Sequence, residues 1–280
     1  MIDFIEQRER EATDRRLGDS IASSKRPKPP SAFSSTMTFA GRALLRIKHV
    51  PEQMFDVTVF PVIFLLMFTY LFGGAIAGST EEYLQFLLPG ILVMTVAQIT
   101  MYTGIDLNND IRKGIFDRFR TLPIWLPSAL IGSLLVDVVR YSLASAIMIG
   151  LGFLLGFRPE GGMIGVLGAV GLILVFSFSL SWVWTVFGLI VRSEKSLMMI
   201  SFLVLMPLTF VSNVFVDPQT LPSWLQGFVE LNPISVLATG VRGAMHGTVT
   251  VQQVVWVFIV SLILTAVFAP LTIYLYRHKK

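Results

Sequence analysis

The sequence predicts an all-α membrane protein with six transmembrane helices, and three observations carry that reading. Of its 280 residues, 54% are hydrophobic and only 14% are charged, against roughly 25% charged in an ordinary soluble domain. Six stretches stay apolar for about the 20 residues that a helix needs to cross a ~30 Å hydrocarbon core. Nineteen of the 22 Lys and Arg residues fall in segments that successive spans would place on one side. Such an excess marks the cytoplasmic face. Both termini are therefore expected in the cytoplasm, which agrees with an even number of spans.

The elements follow in chain order. Residues 1–37 read as a charged cytoplasmic tail, largely disordered. Arg8, Arg10, Arg15, Arg16, Lys25, Arg26 and Lys28 are mixed with acids there, and the Ser, Pro and Lys residues of 18–36 bury too little apolar surface to offset chain entropy. No apolar stretch follows the basic residues as it would in a signal peptide. The transmembrane domain then occupies residues 38–280. Over 38–53, Phe39, Ala43, Leu45, Ile47 and Val50 alternate with Arg42, Arg46, Lys48 and His49. That pattern predicts an interfacial helix in the headgroup layer, with Pro51 turning the chain into the membrane.

The six spans are expected at about 54–72, 83–105, 128–157, 163–191, 197–216 and 251–276. Gly73–Gly74 and a loop with Glu81 and Glu82 follow the first, Pro89–Gly90 stands near the start of the second, and Pro207 interrupts the fifth. Residues 217–250 are too polar to span and too apolar for a free loop. One or two short external helices are expected there, anchored by Trp224 and Phe228 at the interface or dipping back into the membrane. Asn213, at the outer end of the fifth span, would bond across a dimer interface or simply mark that end. Gly152, Gly156, Gly161, Gly165, Gly168 and Gly171 offer small faces for close helix packing.

Little in the chain points to chemistry. The absence of cysteine excludes disulfides and thiolate metal sites. His49, His246 and His278 are far apart, so no metal site is expected. No G-x-x-x-x-G-K-[ST], H-E-x-x-H or G-x-S-x-G pattern occurs, and no catalytic residue is assigned. His246, Glu230 and Asp217 are the only candidates for a lipid-modifying site, and nothing in the sequence orders them. Asp137 and Arg140, three residues apart on the third span, share a helix face. They read as a structural ion pair, with a gating charge as the competing reading. So few intramembrane carboxylates argue against an ion-coupled secondary transporter, the alternative from a different class. Met94, Gln98, Met101 and Tyr102 on the second span, with Met198, Phe202 and Met206 on the fifth, are candidate substrate contacts because methionine surfaces adapt to varied ligands. Plain helix packing would account for the same pattern.

The connection between the second and third spans is the most informative segment. Ile111, Ile115, Phe119 and Leu122 recur at intervals of four, four and three, giving one apolar stripe on a short helix. Arg112, Lys113, Asp117, Arg118 and Arg120 form the rest of its surface, and Pro123 stops it. Such a helix docks in a partner's groove or floats on anionic lipid, and periodicity leaves both open.

Gly114, Asp117, Arg118, Phe119, Arg120, Leu122 and Pro123 match a G-x-x-D-R-F-R-x-L-P pattern. This resembles the signature of ABC-2 type transport permeases and is most similar to the daunorubicin-resistance-type drug exporters. Phe72–Gly73–Gly74, Leu88–Pro89–Gly90, and Asn232–Pro233 with Arg242–Gly243 agree with it. The resemblance runs from about Thr38 to the C-terminus and leaves residues 1–36 aside. It implies the permease subunit of an ATP-binding cassette exporter in a bacterial cell membrane. Such a subunit moves an amphipathic drug or lipid-like metabolite outward. It also implies a separate ATPase subunit in two copies, which holds the ATP and magnesium, and a second permease subunit in a homodimer or heterodimer. No cofactor would be bound by this chain, and no nucleic acid would be a partner. Asp110, Arg112, Gly114, Asp117, Arg118, Phe119, Arg120 and Pro123 would belong to the coupling helix that enters the ATPase groove. Residues 38–53 would be the elbow helix. A lipid-glycan or polysaccharide exporter is the alternative within the family.

Overall fold

Helices supply the regular structure of the computed structural model, which describes residues 31–49, 51–115 and 127–278. Helix α1 covers Ala32–His49 and α2 covers Pro51–Met67. A π-helical turn at Phe68–Phe72 and a helical turn at Gly73–Ala77 continue α2 without a break. Helices α3 (Thr80–Ile99) and α4 (Met101–Arg112) form one long run interrupted only at Thr100. Then come α5 (Pro127–Leu154), α6 (Gly162–Ile190) and α7 (Glu194–Phe210). A 3-10 turn at Pro218–Thr220 leads to α8 (Ser223–Leu231), α9 (Pro233–Met245) and α10 (Val251–His278).

Local chemistry sets several of these boundaries. Gly78, at φ 79°, ends the Gly73–Ala77 turn in the left-handed conformation, a geometry glycine adopts without a Cβ penalty. Ser79 then caps α3, accepting a hydrogen bond from the Glu82 amide at 3.1 Å. Glu81 and Glu82 sit in the first turn, where the helix dipole favours anions. Ser193 caps α7 in the same way through the Ser196 amide. Asn232 caps α9 through the Ile234 amide, and Pro233 takes the first helical position, where a missing N–H is harmless.

Among the described residues, five helical runs are long and apolar enough to cross a membrane: 59–77, 80–112, 127–154, 162–190 and 251–278. Three expected spans, 128–157, 163–191 and 251–276, match to within three residues. The expected fifth, 197–216, is realised as α7, which has 17 residues and ends at Phe210. At 1.5 Å per residue it reaches about 25 Å. Pro207 lies inside α7, and the helix runs on for three more residues. Gly73–Gly74 do not end the first run, because the chain stays helical to Ala77. The second run continues to Arg112, past the expected end at 105. Helix α1 begins six residues before the expected Thr38 and stops at His49, so part of the predicted tail is helical. The side chains of Arg42, Arg46, Lys48 and His49, on which its amphipathic reading rests, lie outside the description.

Helix α3 is the centre of the bundle. In its most apolar window 78% of residues are buried, against 11% in α10. Leu87, Leu88, Ile91 and Leu92 of α3 meet Ile173 and Phe176 of α6 and Leu237 and Val241 of α9 in one continuous core. Helix α10 packs on α6 by one narrow face, α1 packs on α5, and α2 packs on α3. The wide apolar surface left on α2 and α10 is what a lipid-facing helix presents.

Candidate functional site

Pro89 stands in the interior of α3, as its tenth residue. A proline there has no N–H to give the carbonyl four residues earlier, and that carbonyl belongs to Gln85. His246 Nε2 donates to the Gln85 oxygen at 3.1 Å, which assigns the proton to Nε2. One turn earlier on α9, Arg242 Nε donates to the next carbonyl, Phe86 O, at 3.1 Å. Its Nη2 donates to Asn213 O at 2.9 Å, and its guanidinium lies 3.8 Å from the centre of the Phe86 ring. Burial pushes the Arg242 guanidinium down to about 10, opposed by the charge of Asp217, so it is still a cation at neutral pH. Asn232 Nδ2 donates to the carbonyls of Leu208 and Val211. Helix α9 is thereby tied at both ends, to α3 and to the exit of α7. His246 needs no catalytic partner to account for its position.

A second polar cluster joins α4, α5 and α6 at the opposite end of the bundle. Arg140 and Asp137 pair at 3.1 Å, and Arg140 also reaches Asp106 at 3.5 Å. Thr103 donates to Asp137 at 2.6 Å, and Tyr141 bonds Ser181 at 2.6 Å. Asp137 and Arg140 are buried. Charges in such a place persist only when paired. The ion pair expected from the sequence is therefore present, but it is one edge of a larger network. Asp106 was hidden because the second span was expected to end at 105, and Thr103 because a lone threonine inside an apolar run gives no sign of a partner. Their spacing of three, with Asp110 four residues further on, was the available sign of a single helix face.

Helix α4 is also fastened to α6. Gly104 and Gly188 bring the two backbones together, and a Cβ added at Gly188 would stand 2.5 Å from Gly104 O. Asn108 Nδ2 donates to Gly188 O at 3.0 Å and Val191 O at 2.6 Å, closing the C-terminus of α6. Trp184 Nε1 donates to Thr100 Oγ1 at 2.8 Å, at the break between α3 and α4.

Asp110 and Arg112 form the last turn of α4, and Gly114, at φ 66°, follows it. The stripe Ile111–Ile115–Phe119–Leu122 is therefore not carried by one unbroken helix, because the left-handed glycine interrupts the ladder after Ile111. Asp117, Arg118, Phe119, Arg120 and Pro123 lie outside the described residues.

The candidate substrate contacts separate into two groups. Met94 and Tyr102 are packed in the interior, and Gln98 and Met101 are half-buried. Met198, Phe202 and Met206 are exposed along α7, whose buried side is Leu197, Ser201, Leu205 and Thr209. A row of rings that the sequence reading passed over runs up α2. Phe60, Phe64, Phe68 and Phe72 follow one another at 4.5, 5.5 and 5.3 Å between centroids. Phe68 meets Phe215 at 4.9 Å, and Phe215 meets Phe210 at the end of α7 at 5.1 Å. The four-residue spacing of these phenylalanines was legible. Of the glycines, Gly161 and Gly165 admit the Ala244 carbonyl of α9, whereas Gly168 and Gly171 face open space. Asn213 bonds Thr239 and Ser235 within the chain.

Long apolar helices and paired charges buried between them define a multi-pass helical membrane protein. The sequence model of the ABC-2 type transporter matches residues 34–246, and the chain belongs to that family. It is 52% identical over 259 residues to the daunorubicin resistance ABC transporter permease protein DrrB1 of Streptomyces coeruleorubidus, covering 92% of each chain. It is 25% identical over 228 residues to a probable doxorubicin resistance ABC transporter permease protein, DrrC, of Mycobacterium tuberculosis, covering 80% of this chain and 82% of that one. A putative transport permease of Cyanophora paradoxa is 25% identical over 208 residues, covering 72% and 70%. Membership in this family makes the protein a membrane permease subunit of the ABC transporter class.

Proposed function

We propose that this chain carries an amphipathic drug out of a bacterial cell and that α4 is the lever through which a separate ATPase moves the transport helices. The carrying observation is the position of α4. It ends at Arg112, immediately before the Gly114–Pro123 motif, and it is bound to α5 through the Asp106–Arg140–Asp137 network and to α6 through Gly104, Gly188 and Asn108. A push on residues 110–123 reaches two spans through short, stiff contacts. Coupling between distant sites requires an element of this kind with two discrete placements. Export of drugs is supported by the names of the relatives, and 52% identity over nearly the whole chain supports the transfer.

In this reading α7 is the fifth of six spans, both termini are cytoplasmic, α1 lies on the inner membrane surface, and α8 and α9 close the outer end. Two permease subunits meet two ATPase subunits, which hold the ATP and magnesium. The exposed face of α7, with Met198, Phe202 and Met206, lines the path or the dimer seam, and Gln98 and Met101 border it. Met94 and Tyr102 join only if the helices rearrange.

Co-purification tests this. The chain is expressed with the ATP-binding subunit encoded beside it and purified through a tag on the permease, alongside Arg118→Glu and Phe119→Ala variants. The ATPase is expected to follow the wild type and to be lost or uncoupled in both variants. An intact permease that recruits no ATPase would overturn the proposal.

A further inference from the structure

The outer end of α7 is held by one face of α9. Asn232, Ser235, Thr239 and Arg242 follow one another at intervals of three, four and three, so they share one side of that helix. Asn232 Nδ2 donates to Leu208 O at 2.6 Å and to Val211 O at 2.5 Å. The Asn213 backbone N–H donates to Ser235 Oγ at 3.2 Å, and Asn213 Nδ2 donates to Thr239 Oγ1 at 2.7 Å. Arg242 Nη2 donates to Asn213 O at 2.9 Å. From α3, the Tyr83 hydroxyl donates to Phe215 O at 3.0 Å. Gly90 of α3 admits the Val214 carbonyl, which would stand 2.6 Å from an added Cβ. Carbonyls at the end of a helix lack partners within it. Those of Leu208, Val211, Asn213 and Phe215 are answered by side chains from two other helices.

The rest of α7 is held differently. Only Leu197, Ser201, Leu205 and Thr209 are buried, one residue per turn, and α7 packs chiefly on α4. Among the described residues, no side-chain hydrogen bond joins 194–207 to another helix, and the Ser201 hydroxyl has no partner. The two attachments differ in what motion costs. Apolar side chains that leave a neighbour in a membrane meet lipid tails of the same polarity, so an apolar stripe tilts at small cost. Carbonyls that leave their donors there find no water to replace them. The outer end is therefore the fixed point and the inner end the free one.

We propose that α7 swings about its outer end during transport, with Asn232 and Arg242 as the positioning residues that hold the pivot. Its 17 residues reach about 25 Å, so a tilt of about 10° carries the inner end through about 4 Å. Val211–Phe215 meanwhile stay in place on α9 and α3. Arg242 Nε also donates to Phe86 O at 3.1 Å, which joins the pivot to the centre of the bundle. That α4 drives the swing rests on the coupling role proposed for it; the pivot itself does not.

The test is pulsed double electron–electron resonance on the permease with its ATPase subunit in nanodiscs, nucleotide-free and trapped with ATP and vanadate. The chain has no cysteine, so introduced cysteines alone carry its nitroxides, and excess unlabelled permease keeps each distance within one subunit. Ser196→Cys with Arg277→Cys reads the inner end. Val211→Cys with Thr248→Cys reads the outer end, and Lys113→Cys with Arg277→Cys reads α4. All five side chains are exposed. The inner pair is expected to shift by about 4 Å between the two states, and the outer pair to keep its distance. Arg242→Met should let the outer pair broaden or shift on trapping and should lower drug export, with the ATPase still attached. Thr239→Val removes one bond of the stripe at nearly the same volume. It should broaden the outer pair less, and it reads the pivot even where the arginine variant folds poorly. An arginine that only stabilised the fold would lower the yield and leave wild-type distances in the folded protein, which counts against the pivot. An outer pair that shifts as far as the inner one, or an inner pair that stays still, overturns the proposal. A Lys113–Arg277 distance that stays fixed while the Ser196 pair moves removes α4 as the driver and leaves the pivot standing.

Discussion

Pro89 and His246 stand on different helices and share one carbonyl. The proline removes the intrahelical donor for Gln85 O, and the imidazole Nε2 replaces it at 3.1 Å. A helix fault that would bend α3 freely in lipid is thus turned into a docking point for α9. The pair leads to a thermodynamic cycle. His246→Ala leaves a buried carbonyl unpaired and should destabilise the detergent-solubilised permease by about 1–3 kcal/mol. In a Pro89→Ala background, where the helix can satisfy Gln85 itself, the same change should cost clearly less. Thermal unfolding of the four proteins checks this. Equal costs in both backgrounds would mean that the imidazole acts by packing alone.

The contact of Gly104 with Gly188 makes a second expectation. Gly188→Leu must push α4 from α6 or strain both, at about 1–3 kcal/mol. Drug export in vesicles should fall while ATPase association, which uses the segment beyond Arg112, remains. An export-competent Gly188→Leu protein would remove α4 from its role as lever.

The buried charges predict an asymmetry. Arg140→Met strands Asp137 and Asp106 in the bundle, and breaking such a pair typically costs about 3–5 kcal/mol. Asp137→Asn keeps a hydrogen-bonding side chain beside Thr103 and leaves Arg140 paired with Asp106, so it should cost less. Fluorescence-detected gel filtration after a heat step ranks them. The reverse order would show that Arg140 is not held mainly by these carboxylates.

The exposed face of α7 is tested with a charge. Phe202 is 52% exposed in the single chain. If this face lines a water-filled path or a subunit seam, Phe202→Lys should be made and inserted normally yet abolish export. If it faces lipid, a lysine there opposes insertion by about 2.5–3.5 kcal/mol, and the expressed amount should collapse with transport.

Much of this protein is legible in one dimension. Runs of about 20 apolar residues become helices wherever water is absent, because only a helix satisfies its backbone within one segment. Three expected spans accordingly match the structure to within three residues. The Asp137–Arg140 pair also follows from a short spacing. The motif at Gly114–Pro123 carries the family on seven side chains. The boundaries that failed are those where the signal is not hydropathy. The second run continues to Arg112 because Asn108 and Asp106 find partners on α6 and α5, so polar residues extend a helix that composition would have ended. The π turn after Phe68 keeps the chain helical through Gly73–Gly74.

What tertiary structure alone decided is which polar atoms meet. His246 with Gln85, Arg140 with Asp106, Asn108 with Gly188 and Asn213 with Thr239 are 161, 34, 80 and 26 residues apart. No local spacing encodes such pairs. They form because a low-dielectric interior makes each unpaired polar group costly, and only the packed arrangement of helices says which group is near enough to answer. The sequence by itself determined that the chain is a bundle of spans with a family signature at one end. The fold decided that α4 is the element joined to two other spans, and that Asn213 meets Thr239 and Arg242 at the far end.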